Sequence, residues 1–324
     1  MIVHLRPEAN PGAVQKALVA RGLWPQRLEG IGVQYRIGSC SNHVTSEELL
    51  AIEGVAGVAH AASPHPLVDA QPEQVQVAGV AIGGGAPAVI MAGPCSIESQ
   101  QQIDSIAARL GALGVSFLRG GAFKPRTSPY SFQGHGSEAL LWQRQAADRY
   151  GLKVVTEALA ETHAQEVSQM ADLVQIGSRN MQNTALLKVV AGTGKPILLK
   201  RDMAATVEEW LLAAEYCLHH GAASVIFCER GIRSFDPTTR YVLDLASAAL
   251  LSKVHRQPVI VDPSHGTGRR DLIPALSHAA LAAGAAGLMI ETHDDPGGAL
   301  SDGPQALPPE ELRKLLADIE TAGR

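Results

Sequence analysis

Six cationic residues, Arg119, Lys124, Arg126, Arg179, Lys200 and Arg230, stand at or just beyond the ends of short apolar runs. Arginine's planar fork matches phosphate and carboxylate, while lysine serves as a point charge or proton donor. The chain as a whole is acidic, with a formal net charge of -5, so this concentration of cations is local. Gathered on one face they would suit a heavily anionic substrate, or two of them. The competing reading is that each pairs with a neighbouring acid. A second group mixes soft and hard donors: Cys95 follows the first apolar run, His265 the seventh and Glu291 the eighth, and Asp302 lies in the loop beyond. A thiolate, an imidazole and two carboxylates suit Mn²⁺, Fe²⁺, Co²⁺ or Zn²⁺ better than Mg²⁺ or Ca²⁺. Linear spacing alone does not join these four residues.

The elements that must position these groups are eight runs, at 88–92, 116–119, 153–156, 173–176, 196–200, 224–228, 258–261 and 286–290. Helical stretches such as 102–113, 207–219 and 240–251 lie between them. The alternation predicts an α/β protein with buried parallel strands in a (β/α)8 TIM barrel, with an open doubly wound sheet as the rival. The strand ends favour the barrel, because nearly every one delivers a charged or metal-capable residue: Cys95, Arg119, Glu157, Arg179, Lys200, Arg230, His265 and Glu291. In a closed barrel the eighth strand neighbours both the seventh and the first, so Cys95, His265, Glu291 and Asp302 can meet. Residues 1–70 read differently, with strands at 2–5, 27–31, 32–37 and 55–59 and helices at 11–23 and 46–52. Thr45 with Glu48 three residues on makes a capping box for the second helix. This βαββαβ order predicts a small α+β ferredoxin-like domain over 1–70, ahead of a catalytic barrel over 71–324. A linker is expected over 63–72. A hairpin follows, joining 75–80 with 88 onward through a turn at Gly83-Gly84-Gly85, and it is expected to plug the barrel floor.

A chain of 324 residues with 46% hydrophobic and 18% charged residues can bury a large core, which excludes global disorder. Aromatics at 4% and the acidic balance speak against nucleic-acid binding. Cys40, Cys95, Cys217 and Cys228 form no CxxC, so neither a disulfide framework nor a redox motif is expected. The apolar stretch at 2–5 is too short for a signal peptide, and the uncharged stretches at 74–97 and 272–290 are broken by Pro87, Pro94 and Pro274. The expectation is a soluble cytoplasmic protein with no membrane span. Cys217 and Cys228 read as core, His219-His220 as a helix C-terminus, and Arg269-Arg270-Asp271 as a solvated helix start. His60, His65 and His278 show no ligand spacing.

Six separated motifs stand in order: Ala92-Gly93-Pro94-Cys95-Ser96, Arg119 through Ser128 (RGGAFKPRTS), Ile176-Gly177-Ser178-Arg179-Asn180, Cys228-Glu229-Arg230-Gly231, Asp262 through Gly268 (DPSHGTG), and Ala299 through Gln305 (ALSDGPQ). Together they closely resemble the 3-deoxy-D-arabino-heptulosonate 7-phosphate (DAHP) synthase family, type I beta group, over residues 75–310. The amino-terminal segment resembles the regulatory domain fused to some members. The resemblance implies the first enzyme of the shikimate pathway to chorismate and the aromatic amino acids. Its reaction is a metal-dependent condensation of phosphoenolpyruvate with erythrose 4-phosphate and water, releasing phosphate. By position, Cys95, His265, Glu291 and Asp302 take the metal-ligand places. Arg179, Lys200 and Arg230 take those that hold phosphoenolpyruvate, and Arg119 and Lys124 lie by its carboxylate. Lys124, Pro125, Arg126 and Thr127 line the aldose phosphate site. Lys124 is implied as proton donor, and Glu157 as organiser of the attacking water unless a strand-end cation pairs with it; His265 counts with them as catalytic. Feedback by tyrosine or phenylalanine and a homo-oligomer, tetramer or dimer, are further expectations. The related synthase that makes 3-deoxy-D-manno-octulosonate 8-phosphate from arabinose 5-phosphate typically carries Ala-Asn after the lysine, where this chain has Pro125-Arg126-Thr127. A barrel that senses a ligand without catalysis is the alternative of another class, and the complete donor and cation sets argue against it.

Overall fold

The computed structural model describes residues 1–28, 32–38, 42, 44–60, 63–125 and 128–322. It divides into two compact units, Met1–Pro64 and His65–Arg324. In the first unit, β1 (Ile2–Leu5), α1 (Pro11–Val19), β2 (Pro25–Leu28), β3 (Gln34–Ile37), α2 (Ser46–Leu50) and β4 (Val55–Ala59) follow in the expected order. The strands form one antiparallel sheet in the order β2-β3-β1-β4, a split β-α-β arrangement. α1 begins where the Asn10 side chain accepts the Ala13 N–H at 3.2 Å, with Pro11 in the first turn where its missing N–H costs nothing. Thr45 and Glu48 form the reciprocal capping box of α2. Val3, Leu18, Tyr35 and Leu49 are at the centre of the core between the sheet and its helices. The strand expected at 27–31 lies at Pro25–Leu28, and residues 29–31 fall outside the described ones.

The second unit opens on α3 (Pro66–Ala70) and a hairpin of β5 (Gln74–Val77) and β6 (Val80–Gly83). Eight strands follow: β7 (Val89–Gly93), β8 (Phe117–Arg119), β9 (Lys153–Glu157), β10 (Leu173–Ile176), β11 (Ile197–Lys200), β12 (Val225–Glu229), β13 (Val259–Val261) and β14 (Gly287–Glu291). Each matches its expected run to within one residue at either end. All pair in parallel and in sequence order, and β14 closes the ring on β7. The helices of this unit are α4 (Gln100–Ala112), α5 (Ser137–Tyr150), α6 (Ala164–Met170), α7 (Thr184–Ala191), α8 (Val207–His219), α9 (Leu245–Lys253), α10 (Pro263–Thr267), α11 (Ile273–Ala282) and α12 (Pro309–Ala322). Strands buried on both faces explain why the runs are continuously apolar instead of alternating. Met91, Phe117, Leu198, Ile260 and Met289 fill the barrel interior. Val75, Val77 and Ile82 of the hairpin pack among them beside Val89 and Ala286, at the end where the strands begin. A hairpin therefore plugs the barrel, but its second strand is β6 and not the run from residue 88, which is the barrel strand β7. Cys217 and Cys228 are buried core residues. Among the described residues, no helix is long and apolar enough to cross a membrane.

Three expectations need correction. The hairpin turn falls at Ala78-Gly79, both at positive φ, and Gly83-Gly84-Gly85 instead lead out of β6 toward β7. The linker over 63–72 contains α3, whose Leu67 and Val68 N–H groups are accepted by the Glu215 carboxylate of α8 at 3.0 and 2.9 Å. A helix this short depends on such distant capping, which local pattern does not reveal. The compact barrel unit accordingly starts at His65, earlier than the residue-71 boundary expected from sequence. The helix expected over 240–251 begins only at Leu245, where Asp244 caps it, so Arg240 and Tyr241 belong to the preceding loop.

Barrel closure leaves no room for a side chain at one position of β14. A Cβ on Gly287 would lie 2.2 Å from the Val89 carbonyl oxygen and 3.0 Å from Ile260 Cδ1. Gly287→Ala is expected to lower stability by about 3 kcal/mol or more. Urea denaturation should show a lower midpoint with an unchanged slope.

Candidate active site

Three adjacent strands deliver the four donor residues. Cys95 lies just beyond β7, His265 in α10 directly after β13, Glu291 at the last position of β14, and Asp302 in the segment between β14 and α12. One ligand atom from each comes within 4.8 Å of all the others. Cys95 Sγ is 3.3 Å from Asp302 Oδ2, and His265 Nε2 is 3.2 Å from Glu291 Oε1 and 3.9 Å from Asp302 Oδ2. The Asp262 carboxylate takes His265 Nδ1 at 2.7 Å and the His265 N–H at 2.9 Å, which turns Nε2 toward the other donors. Burial holds His265 below the ordinary histidine range, against the pull of Asp262, and so favours the neutral, ligating form. Burial pushes the Cys95 thiol up to about 11; Glu291 acts in the same direction and Lys124 against it. Asp302 adopts a left-handed backbone, tolerable for a short polar side chain. Its loop is held by the Ser96–Ser301 hydroxyl pair and by the Leu300 N–H donated to Glu98 at 2.8 Å. Donor types and closeness both fit a borderline-soft divalent cation.

Beside the donors is a cavity of about 190 Å³ lined by Arg119, Lys124, Pro125, Glu157, Arg179, Lys200, Arg230, His265 and Asp302. The structure thus brings together nearly every residue singled out in the sequence; Arg126 and Thr127 lie outside the described residues. Charge pairing divides the cations. Arg119 is ion-paired with Glu291 at 2.7 Å and donates to the Pro94 carbonyl at 3.0 Å, and Lys200 is ion-paired with Asp262 at 2.5 Å. Lys124 Nζ sits 2.9 Å from the Cys95 carbonyl oxygen and 3.1 Å from its sulfur. Arg179 is exposed and, among the described residues, has no carboxylate partner. Arg230 is buried, its Nη1 without a hydrogen-bond partner, its guanidinium 4.4 Å above the Tyr241 ring. A buried arginine nitrogen left unpaired beside a cavity points to an anion as the absent partner. Glu157 is not salt-bridged among the described residues. It accepts a hydrogen bond from Gln175 at 3.0 Å, and its carboxylate occupies the space that a Cβ on Gly177 would take.

Sequence reasoning missed several contributors. Asp262 stood inside a quoted motif, but its hold on both His265 and Lys200 did not. Arg240 and Tyr241 also line the cavity, and Arg240 reaches Gln305 at 3.2 Å and Asp302 at 3.8 Å. Their assignment to a helix hid them. Gln305, within a quoted motif, donates to the second oxygen of Glu291 at 2.5 Å.

Comparison with known proteins places this geometry. The model of the DAHP synthetase I family matches residues 67–322. A phospho-2-dehydro-3-deoxyheptonate aldolase of Thermotoga maritima is 45% identical over 335 residues, covering 99% of this chain and 97% of its own. A 2-dehydro-3-deoxyphosphooctonate aldolase of Alkalilimnicola ehrlichii is 32% identical over 263 residues, covering 76% of this chain and 94% of its own. The crystal structure of the Thermotoga maritima phospho-2-dehydro-3-deoxyheptonate aldolase (DAHP synthase) matches with a TM-score of 0.77 at 39% identity, over 99% of this chain and 96% of that one. A truncated form of the 3-deoxy-D-arabino-heptulosonate 7-phosphate synthase of the same organism matches with a TM-score of 0.72 at 43% identity, over 78% of this chain and 92% of its own. Because the family model runs through the barrel unit and the likeness to the Thermotoga protein extends over nearly the whole chain, this chain belongs to the DAHP synthetase I family.

Proposed function

We propose that this chain condenses phosphoenolpyruvate with erythrose 4-phosphate and water, giving 3-deoxy-D-arabino-heptulosonate 7-phosphate and phosphate. The observation that carries the reading is the four-donor cluster beside a cavity whose Arg179 and Arg230 have no carboxylate partner among the described residues. Cys95, His265, Glu291 and Asp302 would hold Mn²⁺, Fe²⁺, Co²⁺ or Zn²⁺. When bound, such a cation supplies Lewis acidity to the aldehyde oxygen of the sugar. Arg179, Arg230 and Lys200 bind the phosphate of phosphoenolpyruvate, while Arg119, fixed by Glu291, faces its carboxylate. Pro125, Arg126 and Thr127 receive the sugar phosphate. The new bond joins carbon 3 of phosphoenolpyruvate to the aldehyde carbon, and Lys124 Nζ gives a proton to the oxygen left negative there. Glu157, turned to the cavity by Gln175, orients the water that adds at carbon 2 before phosphate leaves. Both substrates are small and charged, so positioning and fixed charge supply most of the acceleration. The first unit is assigned a ferredoxin-like regulatory role, with tyrosine or phenylalanine as effector.

The decisive assay follows phosphoenolpyruvate consumption by metal-stripped protein with Mn²⁺ restored, offering erythrose 4-phosphate and arabinose 5-phosphate separately. Turnover is expected only with metal and only with the four-carbon sugar. Turnover with arabinose 5-phosphate alone would assign the octulosonate reaction instead, and no turnover by folded, metal-loaded protein would favour a sensor. Lys124→Ala is expected to lower kcat by about 10²- to 10⁴-fold, the range of general acid catalysis, with metal still bound. Asp262→Asn should weaken metal binding by about 10- to 100-fold by releasing His265, measured by competition with a chromogenic chelator. For regulation, a chain starting at His65 keeps α3 with the barrel and is expected to turn over without inhibition by tyrosine or phenylalanine. Equal inhibition of that chain and the full one would remove the regulatory assignment.

A further inference from the structure

A second cluster of ligand-type side chains lies outside the active-site cavity. His65 immediately precedes α3, and Asp69 stands one turn later on the same face. His255 lies in the turn between α9 and β13, and Glu208 in the first turn of α8. His65 Nδ1 is 2.9 Å from Asp69 Oδ1, and His65 Nε2 is 4.0 Å from Glu208 Oε2. The two imidazoles face each other at 5.8 Å between ring centroids, their planes 66° apart. One ligand atom from each of His65, Asp69 and His255 lies within 4.8 Å of the others, the same closeness that the active-site quartet shows.

We propose that His65, Asp69 and His255 form a second site for a borderline-soft divalent cation, Zn²⁺ by preference. Two imidazoles and the Asp69 carboxylate supply three donors, with water completing the tetrahedron, while Glu208 lies at the other ring nitrogen of His65. Donors around such an ion stand roughly 3.3 Å apart, as bond lengths of about 2.0 to 2.2 Å dictate, so small side-chain rotations close the cluster. His65 is buried, and burial with His65 alongside holds His255 below the ordinary histidine range, which favours its neutral ligating form. The frame is rigid without the ion. Glu215 caps the start of α3, and the buried Gln257 side chain donates to both the Val68 carbonyl at 2.9 Å and the His255 carbonyl at 3.0 Å. One amide thus fixes α3 against the turn that carries His255. The ion would clamp α3 to the α9–β13 turn.

Cobalt titration of the metal-stripped, tag-free full chain tests this. A cobalt ion at the active site carries a thiolate charge-transfer band from Cys95; an ion at the proposed site, with nitrogen and oxygen donors only, does not. Wild-type protein is expected to bind two cobalt ions, one with that band and one without. His255→Gln, and independently Asp69→Asn, should lose the band-free ion and keep the other, and the retained band itself reports that the variant is folded. A Cys95→Ser/His265→Ala variant should retain one ion, lost again when His255→Gln is added. The proposal is overturned if the wild type binds a single ion carrying the thiolate band, or if either single variant binds as much cobalt as the wild type.

Discussion

The mouth of the barrel depends on one pairing, β14 lying parallel against β7. Its register sets Glu291 level with Gly93, two residues before Cys95, and the next N–H, of Thr292, is donated back to the Gly93 carbonyl at 2.9 Å. In an open sheet, β7 and β14 would be opposite edges, seven strand spacings apart, or about 34 Å at 4.8 Å per strand. No side chain spans that distance. Closure is therefore what turns residues nearly two hundred positions apart into a cluster within 4.8 Å. Gly287 belongs to the same constraint, since β14 reaches β7 only where no side chain intervenes.

Stability and chemistry are segregated along the barrel axis. The end where the strands begin is sealed by apolar side chains of the hairpin, while the other end carries buried charge. Buried ion pairs gain little net stability, because desolvation offsets most of their attraction. Arg119–Glu291 and Lys200–Asp262 are thus poor devices for holding a fold, and their worth is positional. Asp262 shows this most directly: one carboxylate fixes the ring of His265 and the ammonium of Lys200, coupling the donor cluster to the cationic side of the cavity. Arg201 does similar work behind the cavity. It bridges Glu229 at 3.1 Å and Asp244 at 2.8 Å, and Glu229 also accepts the Gly231 N–H at 2.6 Å, so the loop bearing Arg230, Arg240 and Tyr241 is tied down at both ends.

How much of this was legible in sequence follows from the range of the interactions. The eight strands were legible because burial on both faces makes each a continuous apolar run, as at Leu173–Ile176. Thr45 and Glu48 were legible because a capping box is written within four residues. The cations were visible as a class, but not their division into Arg119 and Lys200, which are ion-paired, and Arg179 and Arg230, which lack a carboxylate partner among the described residues, because the pairing acids come from other strands. The donor quartet required the ring to be closed in the mind first, and its spacing along the chain carries nothing. α3 was hidden because its capping carboxylate, Glu215, lies in a distant helix. His65 was set aside for lack of ligand spacing, and its partner His255 is brought beside it only by the fold.

The four candidate donors would meet a cation in opposite ways, and the difference bears on which cation they could take. Glu291 is oriented in advance: Arg119 holds one oxygen, Gln305 the other, and the Glu291 N–H is donated to Ser264 at 3.0 Å. Its ligating geometry exists before any ion arrives, so little reorganisation opposes binding. Cys95 is the reverse. With its thiol pushed up to about 11, it holds its proton at neutral pH, and an ion must displace that proton to gain the sulfur. The ions able to do so are those that bond thiolate strongly, Zn²⁺, Fe²⁺ and Co²⁺ ahead of Mn²⁺. A hard ion such as Mg²⁺ gains too little from sulfur to cover the loss and would be left with an incomplete set of oxygens. A cation held by Cys95 would therefore be one that gains enough from thiolate to displace this proton.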